Sequence, residues 1–331
     1  MNQAVLTRLR LWMKQNNLDR LYVQQPENFS WLTGGDNTIV VGRGVGWLEV
    51  EETVRLHTSR VEAARMAEEE TPGLEIVSYP WHAPFEPKGE TDLTNDLTHL
   101  RLVLSEPEQQ RYRSLGTTVG IALGNALRAA SPEWTEGEIA GAVSEELLSR
   151  GVQPVVLLVA GERRIFKYRH PLPRLEKLGR LCMGVVCGKR HGLIANVTRL
   201  RSFGRTDIRR LNHLVLEVES AALSTSAPGA SLGEVISAIQ NAYRDLGVAE
   251  EFENHHQGGL AGYQPREIVA TPGNTTRLEA GMALAWNPSL PGAKVEDTFL
   301  LTESGLENLT FDPEWPAVAV GGRLRPLVME G

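Results

Sequence analysis

The sequence predicts an α/β N-terminal lobe over residues 1–103 and a larger α+β domain over 104–331, the second carrying an internal repeat. Three observations point there. The chain has 331 residues, about two domains on the usual length relation. The texture changes at Ser105, where Ser105-Glu106-Pro107-Glu108 opens a long helix with Ser at the cap and Pro inside the first turn. A capped helix then occurs twice. Thr135-Glu-Gly-Glu-Ile139…Ala142…Gly151-Val152 matches Ser231-Leu-Gly-Glu-Val235…Ala238…Gly247-Val248 at constant offset and without gaps. Two related helix-plus-strand halves imply a pseudo-two-fold domain with a site where the halves meet.

In the first lobe, Val5, Leu6, Leu9, Leu11 and Trp12 give an amphipathic helix over Ala4–Gln15. Leu21–Val23 reads as a strand, and Val45–Val50 with Val54–Thr58 as a strand pair. Gly34-Gly35-Asp36, Gly42, Gly44 and Gly46 are turn signals. A second helix is expected over Val61–Glu70 and a strand over Leu74–Tyr79, followed by a Pro-containing loop over Pro80–Lys88. The acidic run Glu68–Glu70 reads as a solvated helix end.

Beyond Ser105 the long helix runs to about Ala130, and the capping box Thr135-x-x-Glu138 opens another that ends by Gly151. Val155–Ala160, Gly184–Cys187, Leu193–Thr198, Leu214–Val218, Ala283–Asn287 and Glu296–Thr302 read as strands, much of the sheet antiparallel.

Composition excludes several classes. The formal net charge is −7, with both signs interspersed and no basic stripe, so a nucleic-acid surface is not expected. The longest apolar runs, such as Pro154–Ala160, are too short to span a bilayer. Met1 leads into polar sequence without the apolar core of a secretory signal. Cys182 and Cys187 fall on opposite faces of one strand, and two buried free thiols fit a reducing, cytoplasmic setting.

Five stations give the region from about 105 to 310 a family resemblance. They are Phe166-Lys-Tyr-Arg-His170-Pro; Val185 to Arg199, ending Gly192-Leu-Ile-Ala-Asn196-Val-Thr198-Arg199; His256-Gln-Gly-Gly259-Leu260…Tyr263; Trp286-Asn287-Pro288; and Val295-Glu296-Asp297-Thr298. In order and spacing this set resembles the pita-bread family of aminopeptidase P, prolidase, methionine aminopeptidase and creatinase. Glu27-Asn28-Phe29…Leu32-Thr33-Gly34-Gly35 is similar to the small lobe that precedes the pita-bread domain in aminopeptidase P and creatinase. The resemblance implies a homodimer, and Trp31, Leu32 and Trp47 would be apolar residues that a small lobe leaves uncovered.

The departures from the pattern bear on function. Where the resemblance implies two Asp ligands eleven residues apart, the chain has Val185 and Asn196. Asn287 replaces the first Glu and Tyr263 the second His; His256 and Glu296 remain. Two divalent ions need several hard oxygen ligands to offset four positive charges. One carboxylate and one imidazole do not supply them, so no metal and no other cofactor is expected, the alternative being a single ion on His256 and Glu296.

The remaining polar residues define the expected site. His170, His256 and Glu296 are the candidate catalytic groups, with Asn196, Asn287, Lys294, Tyr263 and Thr198 as candidate substrate-binding groups. His170 could equally be a structural histidine at a loop end. His255 supports His256 beside two glycines, where backbone approaches a ligand closely. Lys294 and Glu296, two apart on a strand, project to one face; they are either a surface ion pair or a lysine charge standing near the vacated metal position. Asn196 and Asn287 are unusual in strands and either close a hydrogen-bond network with Thr198 and Glu296 or face a ligand. Arg266 and Glu267 rank below Tyr263.

Two functions follow. One is a metal-free hydrolase of a small C–N substrate, as the resemblance to creatinase implies, with His170 as general acid/base, Glu296 orienting, and His256 and the asparagines polarising. The other is a non-catalytic protein that binds a small molecule or short peptide. A conventional two-metal Xaa-Pro aminopeptidase fits the residues least.

Overall fold

Asn2 starts the first helix, α1 (Gln3–Gln15), by accepting the backbone N–H of Val5 on its side chain. The computed structural model describes residues 1–39 and 44–331, so Gly42 lies outside the described residues. The chain divides into two units, Met1–Arg101 and Leu102–Gly331.

In the first unit α1 buries Val5, Leu6, Leu9 and Met13, the stripe its periodicity predicts. Strands β1 (Leu21–Val23), β2 (Gly46–Val50), β3 (Val54–Ser59) and β4 (Glu75–Tyr79) form one sheet in that order, antiparallel except for β3–β4. Between β1 and β2, helix α2 (Pro26–Thr33) starts on Pro and ends at Gly34 in the left-handed region. The expected helix over Val61–Glu70 is not regular. A short turn, Ala63–Arg65, runs into a wider one that closes from the Thr71 N–H to the Met66 carbonyl at 2.7 Å. The reason lies in Glu70, which is not solvated but buried. Its carboxylate pairs with Arg65 and accepts the Asn37 N–H at 2.6 Å.

Trp31, Leu32 and Trp47 are all buried. The apolar surface expected there for a partner is therefore not present.

The second unit opens with α3 (Glu106–Ala129), capped by Ser105, whose N–H donates to Glu108 Oε2 at 2.8 Å. Gly116, Gly120 and Gly124 line one face of α3. A Cβ on Gly116 or Gly120 would stand 2.5 or 2.3 Å from the carbonyl oxygen of Leu309 or Thr310. The helix therefore lies directly on that backbone, an approach only glycine allows.

Helix α4 (Glu136–Leu148) leads into strands β5 (Gln153–Gly161), β6 (Leu181–Arg190) and β7 (Leu193–Ser202), an antiparallel run. Residues 214–218, expected as a strand, belong to helix α5 (Ile208–Thr225). Its buried residues Ile208, Asn212, Val215, Val218, Glu219 and Ala222 recur at helical spacing, and the run Leu214–Val218 is the crossing of that stripe rather than a period of two. Helix α6 (Leu232–Asp245) packs on α5.

The second sheet is built from β8 (Gly258–Ala261), β9 (Ile268–Val269), β10 (Ala283–Trp286), β13 (Asp297–Thr302) and β14 (Gly305–Asn308), in the order β14-β13-β10-β8-β9. The hairpin β11 (Ser289–Leu290) and β12 (Ala293–Lys294) precedes β13. Asn287 and Glu296, expected inside strands, fall just outside β10 and β13. A C-terminal hairpin, β15 (Ala317–Val320) and β16 (Arg323–Pro326), follows, and β17 (Met329–Glu330) joins β7 in parallel.

The internal repeat has a structural counterpart. Thr135 and Ser231 both complete capping boxes, and both bridge to a later segment, Thr135 to Lys177 and Ser231 to Arg277. The halves meet where Thr198 of β7 bridges Glu296, its N–H donating to the Glu296 carbonyl at 3.0 Å.

Candidate functional site

The β6–β7 register aligns Val185 with Thr198 and Cys187 with Asn196, so these four side chains share a face. On the other face Gly184 and Gly188 lie against Leu123 and Val119 of α3, which presses the hairpin's first face toward the second sheet. Cys182 and Cys187 are buried and free, and burial pushes the Cys187 thiol up to about 12.

Glu296 is the centre of the polar cluster. Its Oε1 accepts from Arg266 Nη2 at 2.7 Å, its Oε2 accepts from Thr198 Oγ1 at 3.0 Å, and Lys294 Nζ stands 3.6 Å from Oε2. Glu296 and Lys294 are each 3% exposed, which removes the surface-pair reading. Burial alone would raise the Glu296 carboxyl. The Lys294 and Arg266 cations, with the Arg266 and Thr198 hydrogen bonds, outweigh it and hold the group at about 2. Burial pushes the Lys294 ammonium down, against the pull of Glu296. Two basic side chains face one carboxylate.

Behind Glu296, Asp297 accepts from Arg199 Nη2 at 2.8 Å and Arg325 Nη2 at 2.6 Å, and Arg325 also holds Glu219. Thr310 Oγ1 donates to Asp297 at 2.6 Å. Thr310 belongs to the segment seated on the α3 glycines, so that close packing fixes the start of β13.

Three histidines form the other part of the site. His170 lies on the turn after β5, where Arg164 pairs with Glu136 and Arg169 with Glu251. Its Nε2 is 3.1 Å from Nε2 of His255. His255 Nδ1 lies 3.3 Å from Ser289 Oγ. Ring nitrogens of His170, His255 and His256 all fall within 4.8 Å of one another. Burial, then the Lys294 charge, lowers the His170 pKa. Burial, Lys294 and the other two histidines bring His255 to about 2. Burial, Arg266 and Lys294 bring His256 to about 4. All three are neutral imidazoles at pH 7.

The structure thus brings His170 to His255 and His256, and Thr198 and Lys294 to Glu296. Tyr263 is committed elsewhere, donating to Glu108 Oε1 of α3 at 2.7 Å. The asparagine side chains do not join the Thr198–Glu296 bond. Asn196 Nδ2 reaches the Pro265 carbonyl at 3.5 Å. The side-chain carbonyls of Asn196, Asn287 and Gln257 are buried without a donor, which leaves acceptors for a ligand or water. Sequence reasoning ranked Arg266 low and left His255 in support. Arg266 follows Tyr263 by three positions, and only the turn after β8 brings its guanidinium back to Glu296.

A four-stranded lobe followed by two sheet-and-helix halves meeting at a buried polar cluster is the architecture of the pita-bread hydrolases. The chain belongs to metallopeptidase family M24, whose model matches residues 110–303, and the creatinase/prolidase N-terminal domain matches residues 6–113. An uncharacterized peptidase of Staphylococcus aureus is 24% identical over 237 residues, which span 67% of this chain and 66% of that relative. A Xaa-Pro dipeptidase of Lactobacillus delbrueckii is 21% identical, over 92% of this chain and 96% of its own. Among solved structures, the prolidase of Pyrococcus horikoshii superposes with a TM-score of 0.79 at 19% identity, covering 93% of this chain and 98% of its own. The X-Pro aminopeptidase of Thermotoga maritima gives 0.79 at 17% identity, covering 98% and 99%. Among the described residues no helix is long and apolar enough to cross a membrane.

The family description implies metal, and the donor set tests that. Two hard divalent ions need several free carboxylates. The cluster offers Glu296 alone, with both oxygens already taken by Arg266, Thr198 and Lys294. These residues do not fit a two-ion centre. The three histidines supply neutral nitrogen ligands for a single ion, but Lys294 and Arg266 oppose a cation beside them.

Proposed function

We propose that the chain is an aminopeptidase P-related hydrolase that works without metal on a small substrate with a scissile C–N bond, an amide, amidine or peptide-like group. The observation that supports it is the state of Glu296: an arginine and a lysine stand on it in place of metal charge. In this reading His170 is the general acid/base and Glu296 orients the cationic groups. His256, Asn196 and Asn287 polarise the substrate. Lys294 meets an anionic group of the ligand, with Thr198 completing the wall. The protein acts as a cytoplasmic homodimer, a state that light scattering at micromolar concentration reads directly.

The test is elemental analysis of purified protein, then a thermal-shift screen of amidines, amino acids and proline-containing dipeptides, then turnover of the hits in excess chelator. Turnover that survives chelation is expected. Two divalent ions per chain, or activity lost to chelator and restored by metal, would overturn the reading.

The second reading is a non-catalytic protein that binds a small molecule or short peptide in the same cleft. The engagement of both Glu296 oxygens favours it, because no free carboxylate is left to activate water. Stabilisation by a ligand that is recovered unchanged after long incubation distinguishes it.

A further inference from the structure

The contact between His170 and His255 carries information about which atom of His170 works, given the reading above that His170 faces the ligand, on which this inference rests. Two neutral imidazole nitrogens 3.1 Å apart share one proton; one donates and the other accepts. The direction is set at the far end of the chain of contacts. Ser289 is buried, and its Oγ lies 3.3 Å from His255 Nδ1. No other acceptor for that hydroxyl lies within hydrogen-bond reach among the described residues. A buried O–H left without an acceptor is costly, so Ser289 donates to His255 Nδ1. His255 then carries its proton on Nε2 and donates to His170 Nε2. His170 is left with its own proton on Nδ1.

We infer that Ser289 and His255 are positioning residues that hold His170 as the Nδ1–H tautomer, so that it meets the ligand as a hydrogen-bond donor.

The surroundings are built for this arrangement. Tyr243 Oη accepts the Ser289 N–H at 2.9 Å and donates to the Ser289 carbonyl at 3.1 Å, which fixes the serine backbone. Gln257 Nε2 donates to the His255 carbonyl at 2.5 Å. Arg169, next to His170, pairs with Glu251, four residues before His255, so the two segments that carry the histidines are tied together. Lys294 and Arg266 disfavour a second proton on the cluster, and a neutral imidazole is the state in which the tautomer decides the chemistry. The ligand group that faces His170 is then an acceptor that stays unprotonated, a carbonyl or carboxylate oxygen held by the ring N–H. In this state the ring offers an attacking water no lone pair, so a base step by His170 requires the opposite tautomer, and the inferred one restricts His170 to holding the ligand.

The experiment is ring-nitrogen NMR on full-length protein labelled with ¹⁵N-histidine at pH 7.5, without ligand, before and after chelator treatment. His170→Gln and His255→Gln assign the signals. The expected result is Nδ1–H for His170 and Nε2–H for His255, unchanged by chelator. Ser289→Ala should mix the tautomers of both rings, and Ser289→Thr, which keeps the hydroxyl, should restore them. His170 found as Nε2–H, or a pattern untouched in Ser289→Ala, would overturn the inference. So would a wild-type pattern that changes on chelation, because an ion would then be setting the tautomers. The readout needs no substrate. A correct tautomer without turnover counts against the hydrolase reading alone, and turnover with the wrong tautomer counts against this inference alone.

Discussion

Arg266 Nη2 and Glu296 Oε1 form a 2.7 Å ion pair inside the protein, between side chains 9% and 4% exposed. The two residues are 30 positions apart, on the turn after β8 and just before β13. The pair fixes the charge of the cleft, because Glu296 stays ionised only while cations stand on it.

Removing one partner should therefore be costly. Arg266→Met leaves Glu296 with Lys294 and Thr198 alone and should lose about 3 kcal/mol in urea denaturation, the usual scale for breaking a buried pair. Adding Glu296→Gln to that variant should recover part of the loss, since the buried charge is then gone. A double variant as unstable as the sum of the singles would show that the pair is not coupled.

Charge in the cleft should also sort ligands. Lys294→Ala should weaken a carboxylate-bearing hit more than a neutral one of similar size, measured by calorimetry on the same preparation. Equal weakening of both would assign Lys294 to structure. If a hit is turned over, His170→Ala should abolish turnover while circular dichroism and the unfolding midpoint stay close to wild type.

Acid should destabilise the protein before its carboxylates titrate. Buried His255 is held at about 2, below the ordinary 6.5. Between that value and 6.5 the unfolded chain binds a proton that the folded chain rejects. Stability is therefore full above pH 6.5 and falls as pH drops through 6 and 5, by up to roughly 1 kcal/mol per pH unit from His255. Glu296 adds a loss only below about 4.5, as pH falls toward its folded value near 2. Urea denaturation at pH 7, 6 and 5 should show the first slope in wild type and a shallower one in His255→Asn.

Gly120→Ala should destabilise although alanine favours helix by about 1 kcal/mol over glycine. The new Cβ would meet the Thr310 carbonyl oxygen at 2.3 Å, and backbone cannot move aside cheaply. A net loss of about 1–3 kcal/mol is the scale of such overpacking. Gly141 on α4, which meets nothing within 4 Å, is the control, and Gly141→Ala should be neutral or stabilising.

Much of this was legible in the sequence because it depends on local chemistry. The capping boxes at Ser105, Thr135 and Ser231 needed only side chains three residues apart. Strands β6 and β7 followed from their apolar runs, and Lys294 and Glu296, two positions apart, were legible as neighbours although Glu296 falls between β12 and β13. The five stations were readable as a set since their order survives where single residues change. Leu214–Val218 misled because five residues of a helix core stripe carry the same apolar content as a strand, and only the longer span to Ile208 and Ala222 separates the two periods.

By itself the sequence determined the caps, most strands, the internal repeat, the family pattern and the presence of Val185, Asn196 and Asn287 at stations where the resemblance implies carboxylates, all properties of residue type and near spacing. Only the tertiary structure decided that Arg266 stands on Glu296, that Tyr263 turns to Glu108, and that His255 links His170 to Ser289. It also decided that Glu70 is buried and that the α3 glycines seat the segment that holds Asp297. These are contacts between groups far apart in the chain. Their free energies depend on burial and on which charges come within a few ångströms, and spacing along the chain encodes neither.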